Sequence, residues 1–357
     1  MSEPPTDGGP GWDAIDAALR PRYGDTRPLH YGAVPRWSLG GNNPLDGISA
    51  YKRTDGECHW HFVSYGLTEL FQKESKIPDV SGWGLELTFR VACRPDDPKP
   101  PIWAMNFLQN IGRYIVKTGN VFAPGHHMSL NGPIAANEAT ELAAMLCVAD
   151  PELPACESPN GRFSFLQIVG ITVDELEAAQ TWDSLRFAEI LARRSPLLVT
   201  DLQRRSILAD EEIAKQVATA TEREGSSMSD LFAPIVEWSE VQILEKRTRI
   251  VIDGLTARQL VPQLRGRLLH DRPLLLCGQT DQARSVVAFR HAEKPSIAVD
   301  DAGYLVVTLS RAMIDELREK FRPERGVYRS QLMGQLELEV VPLEIKDNQG
   351  NVIRVVG

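Results

Sequence analysis

An uninterrupted apolar run at residues 163–171 constrains the fold of this chain more than any other feature of the sequence. The run reads Phe-Ser-Phe-Leu-Gln-Ile-Val-Gly-Ile and offers few polar side chains to a solvated face. Strands that are buried on both faces have this composition, whereas half-buried strands alternate apolar and polar residues. The run therefore predicts a central strand that is covered on both sides.

Helices and strands are both predicted around this run, which indicates an α/β region. Residues 84–93 alternate as a half-buried strand does, and residues 58–65 are rich in aromatic and β-branched side chains. Gly119 suits the end of a helix that starts after two prolines, and Asn137 is a candidate N-cap for another. The predicted helices cover residues 12–20, 102–117, 137–148, 173–180, 185–194 and 210–224.

The character of the sequence changes after residues 225–229, which read Gly-Ser-Ser-Met-Ser and form the best candidate linker. Strand-like runs dominate beyond them, with one clear helix from Ser310 to Phe321. We predict a mixed α/β fold of two domains, each a mixed sheet with packed helices, the second richer in strands. The predicted bounds are a disordered N-terminus at 1–11 and domains at 12–226 and 227–357. The later strands are predicted at 235–244, 248–252, 264–269, 285–289, 304–309, 332–343 and 352–356.

Charge and cysteine content limit the classes of function. The net charge is -9, which argues against binding to nucleic acid or to an anionic membrane surface. The polar N-terminus lacks the apolar stretch of a secretion signal, and no apolar run approaches the ~20 residues of a membrane span. Five cysteines at wide spacings indicate reduced thiols and no disulfide framework. These features predict a cytoplasmic protein.

Several short motifs follow one another in a specific order. Residues 37–51 contain Gly-Gly-Asn-Asn-Pro-Leu-Asp-Gly, residues 59–70 begin His-Trp-His-Phe-Val-Ser-Tyr-Gly, and residues 81–90 read Ser-Gly-Trp-Gly-Leu-Glu-Leu-Thr-Phe-Arg. Together they resemble the Suppressor of fused family, most densely from about residue 35 to 240. The remaining matching segments are 101–104, 112–114, 165–171 and, in the second half, 264–270.

The resemblance implies a fold and a mode of action. In animal members two mixed α/β domains close around a short extended peptide of Gli transcription factors, and this peptide joins sheet edges of both domains. Binding of this kind is strand addition, in which backbone hydrogen bonds attach the peptide and side-chain pockets select it. The family acts as a negative regulator and has no established catalytic role. The resemblance therefore predicts a non-enzymatic protein that binds a protein or peptide partner, without a cofactor.

Four residues are candidates for the partner-binding surface on this resemblance. Tyr114 and Phe122 match aromatic positions of the family, although each also suits ordinary packing. His126 lies in Gly-His-His where animal members have Gly-Asp-His. In the second domain Leu260 matches a hydrophobic contact position, and the run at 248–252 is a candidate for the second sheet edge.

Two departures from the animal pattern indicate a different partner. The imidazole of His126 cannot supply the fixed negative charge of the aspartate, so a charge-assisted hydrogen bond to the animal peptide is lost. The long insert that animal members carry in the second domain is also missing, because residue 244 is followed almost directly by the run at 248–252. The chain looks like a bacterial or minimal homologue. An alternative function for such homologues is an immunity protein that neutralises a polymorphic toxin.

Enzymatic alternatives rest on a few side chains. His59 and His61 lie on one face of a predicted strand and could begin the metal site of a hydrolase, whereas the neighbouring Cys58 lies on the other face. Glu86 is expected on a solvated or ion-paired strand face. Arg265 and Arg267 are likewise expected on the solvated face of a strand. No residue is predicted to be catalytic, and no metal site is favoured.

Overall fold

The computed structural model describes residues 8–35, 37, 40–242, 246–279, 282–346 and 351–357. The chain divides into two compact units. The first unit runs to Glu177 and includes Ser184–Ile213, and the second consists of Ala178–Asp183 and Ala214–Gly357. The division thus falls within two helices and precedes the predicted boundary at residue 226. Among the described helices, none has the length and apolar composition needed to cross a membrane.

The first unit is built on one eight-stranded sheet with the order β1-β2-β3-β4-β8-β6-β5, and β7 pairs with β8. The central strand β8 is parallel to β4 and antiparallel to β6. This placement confirms the prediction from the apolar run. The strands are β1 (Leu29–Gly32), β2 (Gly47–Arg53), β3 (His59–Tyr65), β4 (Val80–Ala92), β5 (His127–Ser129), β6 (Leu142–Ala149), β7 (Cys156–Ser158) and β8 (Gly161–Thr172).

Helices cover both faces of this sheet. The helices of this part of the chain are α1 (Pro10–Tyr23), α2 (Ile102–Thr118), α3 (Val173–Thr181), α4 (Ser184–Ala192) and α5 (Glu211–Glu224). One core contains Phe107 and Leu108 of α2 with Leu87 and Phe89 of β4. A second core joins α1 to the opposite face and contains Ile15, Leu19, Phe163 and Phe165. Each such buried side chain contributes ~1.5–3 kcal/mol of transfer free energy.

The second unit contains two larger sheets and a hairpin around one core. The sheet orders are β10-β11-β17-β16 and β14-β15-β13-β12-β9, and β18 pairs with β19. The core includes Leu264 and Leu268 of α6 and Ile314 and Leu317 of α7. The elements are β9 (Asp230–Phe232), β10 (Val236–Gln242), β11 (Lys246–Asp253), α6 (Gly254–Leu268), β12 (Leu274–Cys277), β13 (Val286–His291), β14 (Ser296–Val299), β15 (Leu305–Leu309), α7 (Arg311–Lys320), β16 (Gly326–Arg329), β17 (Leu336–Val341), β18 (Leu343–Lys346) and β19 (Val352–Val356).

The prediction of a mixed α/β fold is confirmed, but two predicted elements are wrong. The helix predicted at 137–148 is instead the strand β6, because its apolar residues pair with β8 in the buried middle of the sheet. The strand predicted at 264–269 is the end of α6, in which Leu260, Leu264 and Leu268 share one buried face at a spacing of four residues. Tertiary pairing in the first case and helical spacing in the second outweigh the local composition.

The candidate linker at 225–229 is anchored inside the second unit. Gly225 and Ser226 are both buried. The hydroxyl of Ser226 donates to the carbonyl of Gln180 at 2.7 Å, and the backbone N–H of Ser227 donates to the carbonyl of Trp182 at 2.6 Å. The predicted disordered stretch at 1–11 lies mostly outside the described residues, and its residues Pro10 and Gly11 belong to α1.

Candidate partner-binding site

Tyr114 lies in the last turn of α2. The helix ends as predicted at Gly119, which adopts a left-handed conformation with φ 76° and donates its N–H to the carbonyl of Ile115 at 2.8 Å. Ile111 and Ile115 face the core, so the ring of Tyr114 lies at the margin of the buried face and is half-buried. The helix therefore presents the phenol beside the loop that follows it.

A tight turn directs that loop into β5. Residues Ala123-Pro124-Gly125-His126 have the sequence of a type II turn, with Pro and Gly at the central positions, and the N–H of His126 donates to the carbonyl of Ala123 at 3.0 Å. Gly125 has φ 91°, which a residue with a Cβ rarely adopts. The N–H of Gly125 donates to the carbonyl of Cys147, and the N–H of Cys147 donates to the carbonyl of His126, each at 2.8 Å. Gly125 and His126 thus both lie opposite the single residue Cys147 of β6, as in a G1 β-bulge.

The turn brings together three of the four predicted site residues. The rings of Tyr114 and Phe122 are stacked with centroids 5.4 Å apart, and the ring of His126 meets Phe122 edge-on at 6.4 Å. Phe122 is 9% exposed, whereas His126 is exposed. The side-chain N–H of Asn120 donates to the Tyr114 hydroxyl at 3.2 Å. We call Tyr114, Phe122 and His126 the aromatic cluster.

The edge of β5 that faces away from β6 lies next to the aromatic cluster. Residues 126, 128 and 130 direct their backbone groups toward β6, as the bonds of His126 and Leu130 to that strand show. Backbone groups alternate sides along an antiparallel strand, so His127 and Ser129 direct theirs to the other side. Within the described residues β5 pairs with β6 alone and ends the sheet. This edge can therefore accept a further strand.

The hydrogen bonds of His126 determine what its ring can offer. Its Nδ1 accepts the backbone N–H of Ala123 at 3.3 Å, which leaves Nε2 as the protonated nitrogen and a donor. The neighbouring His127 points its Nδ1 at the carbonyl of Gly125 at 3.1 Å. Burial lowers the pKa of His127, so this second imidazole is neutral at pH 7. At the edge of β5, the side chain at position 126 therefore offers a hydrogen-bond donor and no fixed negative charge.

The second unit places its predicted residues differently. Leu260 is fully buried in the core of α6 and presents no surface to a partner. The run at 248–252 is part of β11, which is paired on both sides by β10 and β17, so the prediction of a free edge there is wrong. Within the described residues β9 is an edge strand, since it pairs with β12 alone. Its Phe232 is 77% exposed, which no sequence signal at this position indicates.

Comparisons with known proteins agree with this architecture. The model of the Suppressor of fused protein family matches residues 41–205. Suppressor of fused homologues from Homo sapiens and Mus musculus are each 32% identical over 241 residues, which is 62% of this chain and 49% of theirs. Residues 41–205 belong to the Suppressor of fused family. The chain spans about half the length of these curated relatives.

Solved Suppressor of fused structures extend the likeness in fold. The crystal structure of Drosophila Suppressor of fused aligns with a TM-score of 0.74 at 21% identity and covers 95% of this chain and 99% of that one. A structure described as the Sufu-Fu complex aligns with a TM-score of 0.55 at 30% identity, over 60% of this chain and 98% of that one. The likeness to the Drosophila structure extends over nearly the whole chain and concerns the fold.

His61 of β3 belongs to a buried polar network. His61 is fully buried, with its Nδ1 2.5 Å from the Tyr23 hydroxyl and its Nε2 3.4 Å from an Asp150 oxygen. Arg90, also fully buried, donates to both oxygens of Asp150 at 2.7 and 3.1 Å and to Gln167. We call Tyr23, His61, Arg90, Asp150 and Gln167 the buried polar network.

Charge in this network comes from Arg90 and Asp150. Burial lowers the pKa of His61 to about 4, and the Arg90 guanidinium acts in the same direction, so the imidazole is neutral. Burial alone would raise the pKa of Asp150, but His61 and Arg90 hold it well below its usual range. No three His, Cys, Asp or Glu side chains converge as metal ligands in the described part of the chain. The hydrolase alternative based on His59 and His61 therefore finds no support in the geometry.

Two further expectations about polar residues are wrong. Glu86 is fully buried, and its carboxylate accepts the N–H groups of Gly66 and Thr68 at 2.9 Å and the hydroxyls of Thr68 and Ser64. Burial raises its pKa to about 7. Arg267 belongs to α6, and it donates to the carbonyls of Pro273 and Ser226 at 3.0 Å each. Both side chains hold loops in place, and neither lies on a solvated strand face.

Proposed function

We propose that this chain is a regulator that binds a protein partner, and that it captures an extended segment of that partner on the edge of β5. The observation that carries the proposal is the outward backbone of His127 and Ser129 beside the aromatic cluster. Membership of residues 41–205 in the Suppressor of fused family supports a binding role. The relative described as the Sufu-Fu complex supports a protein as the ligand.

The chemistry of the site supports strand addition. An added strand forms hydrogen bonds with the outward N–H and C=O groups, and these bonds do not depend on the partner's sequence. Selection then falls to side chains that contact the aromatic cluster. Tyr114 and Phe122 provide a stacked apolar surface, on which an aromatic or aliphatic side chain gains contact area at little conformational cost.

His126 selects the polar group of the partner. Since its Nδ1 accepts from Ala123, its Nε2–H is left to donate to an acceptor of the bound segment, such as a carbonyl or a carboxylate. The animal pattern has an acceptor at this position. We therefore propose that the partner differs from the Gli-type peptide in the residue that meets position 126.

In the second unit we propose β9 as the contact edge, in place of β11. Asp230 and Phe232 direct their backbone groups away from β12, because Leu231 pairs with Leu276 and the bonds of Ser229 and Ala233 also go to β12. The exposed ring of Phe232 supplies an apolar contact there. Leu260 then contributes indirectly, through the core on which the unit depends.

A proline substitution tests the proposed edge of β5. Ser129→Pro removes an N–H that points away from β6, so the pairing of β5 with β6 is retained while the bond to an added strand is lost. Affinity capture from native extract with the tagged wild-type chain should recover a partner that Ser129→Pro fails to recover. The partner identified with the wild-type chain then allows a direct measurement, in which we expect a loss of affinity of roughly tenfold or more.

The matched control lies at the opposite edge of the same sheet. Gly32 of β1 also directs its N–H away from the neighbouring strand, and among the described residues the nearest atom to an added Cβ is the carbonyl oxygen of Asp46 at 3.9 Å. Gly32→Pro should therefore fold and bind as the wild type does. Equal affinity of Ser129→Pro and Gly32→Pro for the captured partner would contradict strand addition at β5.

A further inference from the structure

Two of the five cysteines are neighbours across the pair of strands β3 and β4. Cys58 immediately precedes β3 and Cys93 immediately follows β4, and the N–H of Cys93 donates to the carbonyl of Cys58 at 3.0 Å. Their sulfur atoms lie 3.1 Å apart. Both side chains are half-buried, so small molecules can reach the pair.

The backbone already has the geometry that a disulfide requires. The register that pairs His59 with Ala92 places Cys58 opposite Cys93. Directly opposed residues in a hydrogen-bonded antiparallel pair have Cα atoms about 5.5 Å apart, which lies inside the range that disulfides span. The sulfur atoms, 3.1 Å apart, need to approach by only about 1 Å to reach the length of a disulfide bond.

We propose that Cys58 and Cys93 form a reversible dithiol–disulfide site that reacts with low-molecular-weight disulfides. In the first step the Cys58 thiolate attacks one sulfur of the oxidant, and a mixed disulfide forms while one thiol leaves. In the second step Cys93 attacks the sulfur of Cys58 and releases the second thiol. Two cysteine thiols and one small disulfide thus give one protein disulfide and two small thiols.

The surroundings assign the two roles. Burial raises the pKa of Cys93 to about 12, and the adjacent Cys58 acts in the same direction, which disfavours Cys93 as the thiolate of the first step and leaves to it the second attack, where its sulfur already lies beside that of Cys58. Cys93 also packs against the core beneath α2, which holds its sulfur in place beside Cys58. Two of the other cysteines differ, since Cys147 is fully buried and Cys156 donates to the carbonyl of Pro154.

The test treats the folded full-length chain with glutathione disulfide, blocks the remaining thiols and maps peptides without reduction. We expect a peptide that links Cys58 to Cys93, formed faster than any adduct on Cys156 by a factor on the order of ten or more, because the second thiol is already in place. Dithiothreitol should reverse it. The control Cys156→Ser should form the same link at the same rate.

Single substitutions separate the two steps. Cys93→Ser should accumulate a stable glutathione adduct on Cys58, because no second thiol resolves it, whereas Cys58→Ser should leave Cys93 largely unmodified. A link that forms only in denaturant, or adducts on Cys156 or Cys277 that precede it in the folded chain, would overturn the proposal.

Discussion

The buried polar network and the aromatic cluster both belong to the first unit, and they differ in how many of their polar groups are already engaged. In the network, Asp150 accepts hydrogen bonds from Arg90 and Thr88 inside the core and lies 3.4 Å from Nε2 of His61. In the cluster, His126 keeps a ring N–H for an outside acceptor and lies beside an edge with outward backbone groups. The comparison separates polar residues that stabilise a fold from those that are left for a ligand.

The largest expected effect breaks the network at Arg90. Arg90→Ala removes the guanidinium that contacts Asp150 and leaves that carboxylate buried without this charged partner. Loss of one member of such a pair lowers the free energy of unfolding by about 3–5 kcal/mol. Urea denaturation of the purified variant measures the loss.

A second arginine four positions later provides the matched control. Arg94 is 81% exposed and pairs with Asp97 on the surface. Exposed pairs of this kind contribute little to stability because solvent screens them, so Arg94→Ala should unfold close to the wild type. Similar losses for the two variants would contradict the distinction between the network and the surface.

A smaller effect concerns the pH dependence of stability. The pKa of His61 is lowered from 6.5 to about 4 on folding, so between these values the unfolded chain binds a proton and the folded chain does not. The stabilisation associated with neutral His61 is fully present above pH 6.5. As the pH falls below 6.5, the free energy of unfolding decreases by up to about 1.4 kcal/mol per pH unit. His61→Gln should remove this decrease. The urea midpoints of both proteins from pH 7 to 4 measure the difference in slope.

Glu86 also titrates in this pH range, so the effect of His61 has to be measured by comparing the wild type with His61→Gln. The pKa of Glu86 is raised to about 7, so its contribution is present below pH 4.5 and is lost as the pH rises. The two groups oppose each other in the wild type, and only the slope difference isolates His61. Parallel curves for the wild type and His61→Gln would show that the imidazole is not held neutral in the fold.

A modest effect on stability is expected in the aromatic cluster. Tyr114→Ala removes a half-buried ring from the surface of α2, so it should lower the free energy of unfolding by about 1–2 kcal/mol and leave the fold intact. Its affinity for the captured partner should fall at least about tenfold if the ring is a main contact. Tyr114→Phe keeps the stacked ring and should retain most of the affinity. Unchanged binding by Tyr114→Ala would assign the ring to packing alone.

Local signals in the sequence were sufficient where one element determines the outcome. The bounds of α2 follow from two prolines before it and Gly119 after it, and α7 follows from helical spacing after Ser310. The apolar run of β8 indicated its central place. The segment 142–149 could not be assigned in this way, because alanine and leucine favour a helix and only pairing with β8 makes it a strand.

The candidate site was predictable only in part, for a similar reason. Tyr114, Phe122 and His126 were selected by resemblance, and the Pro124-Gly125 pair already indicated a tight turn between them. Leu260 was selected in the same way, but helical burial removes it from any surface. Phe232 was missed because the short run at 230–232 contains too few residues to show which strand lies at the edge of a sheet.

The short length of β5 limits how long a bound segment can stay. Its two outward residues offer one N–H and one C=O each, and four backbone bonds at ~0.5–1.5 kcal/mol sum to ~2–6 kcal/mol before the entropy of association is subtracted. An interaction confined to this edge would dissociate rapidly, with millimolar or weaker affinity. A partner that occupies the chain for long must therefore bring a wider contact area, whereas one that only touches the edge is exchanged readily.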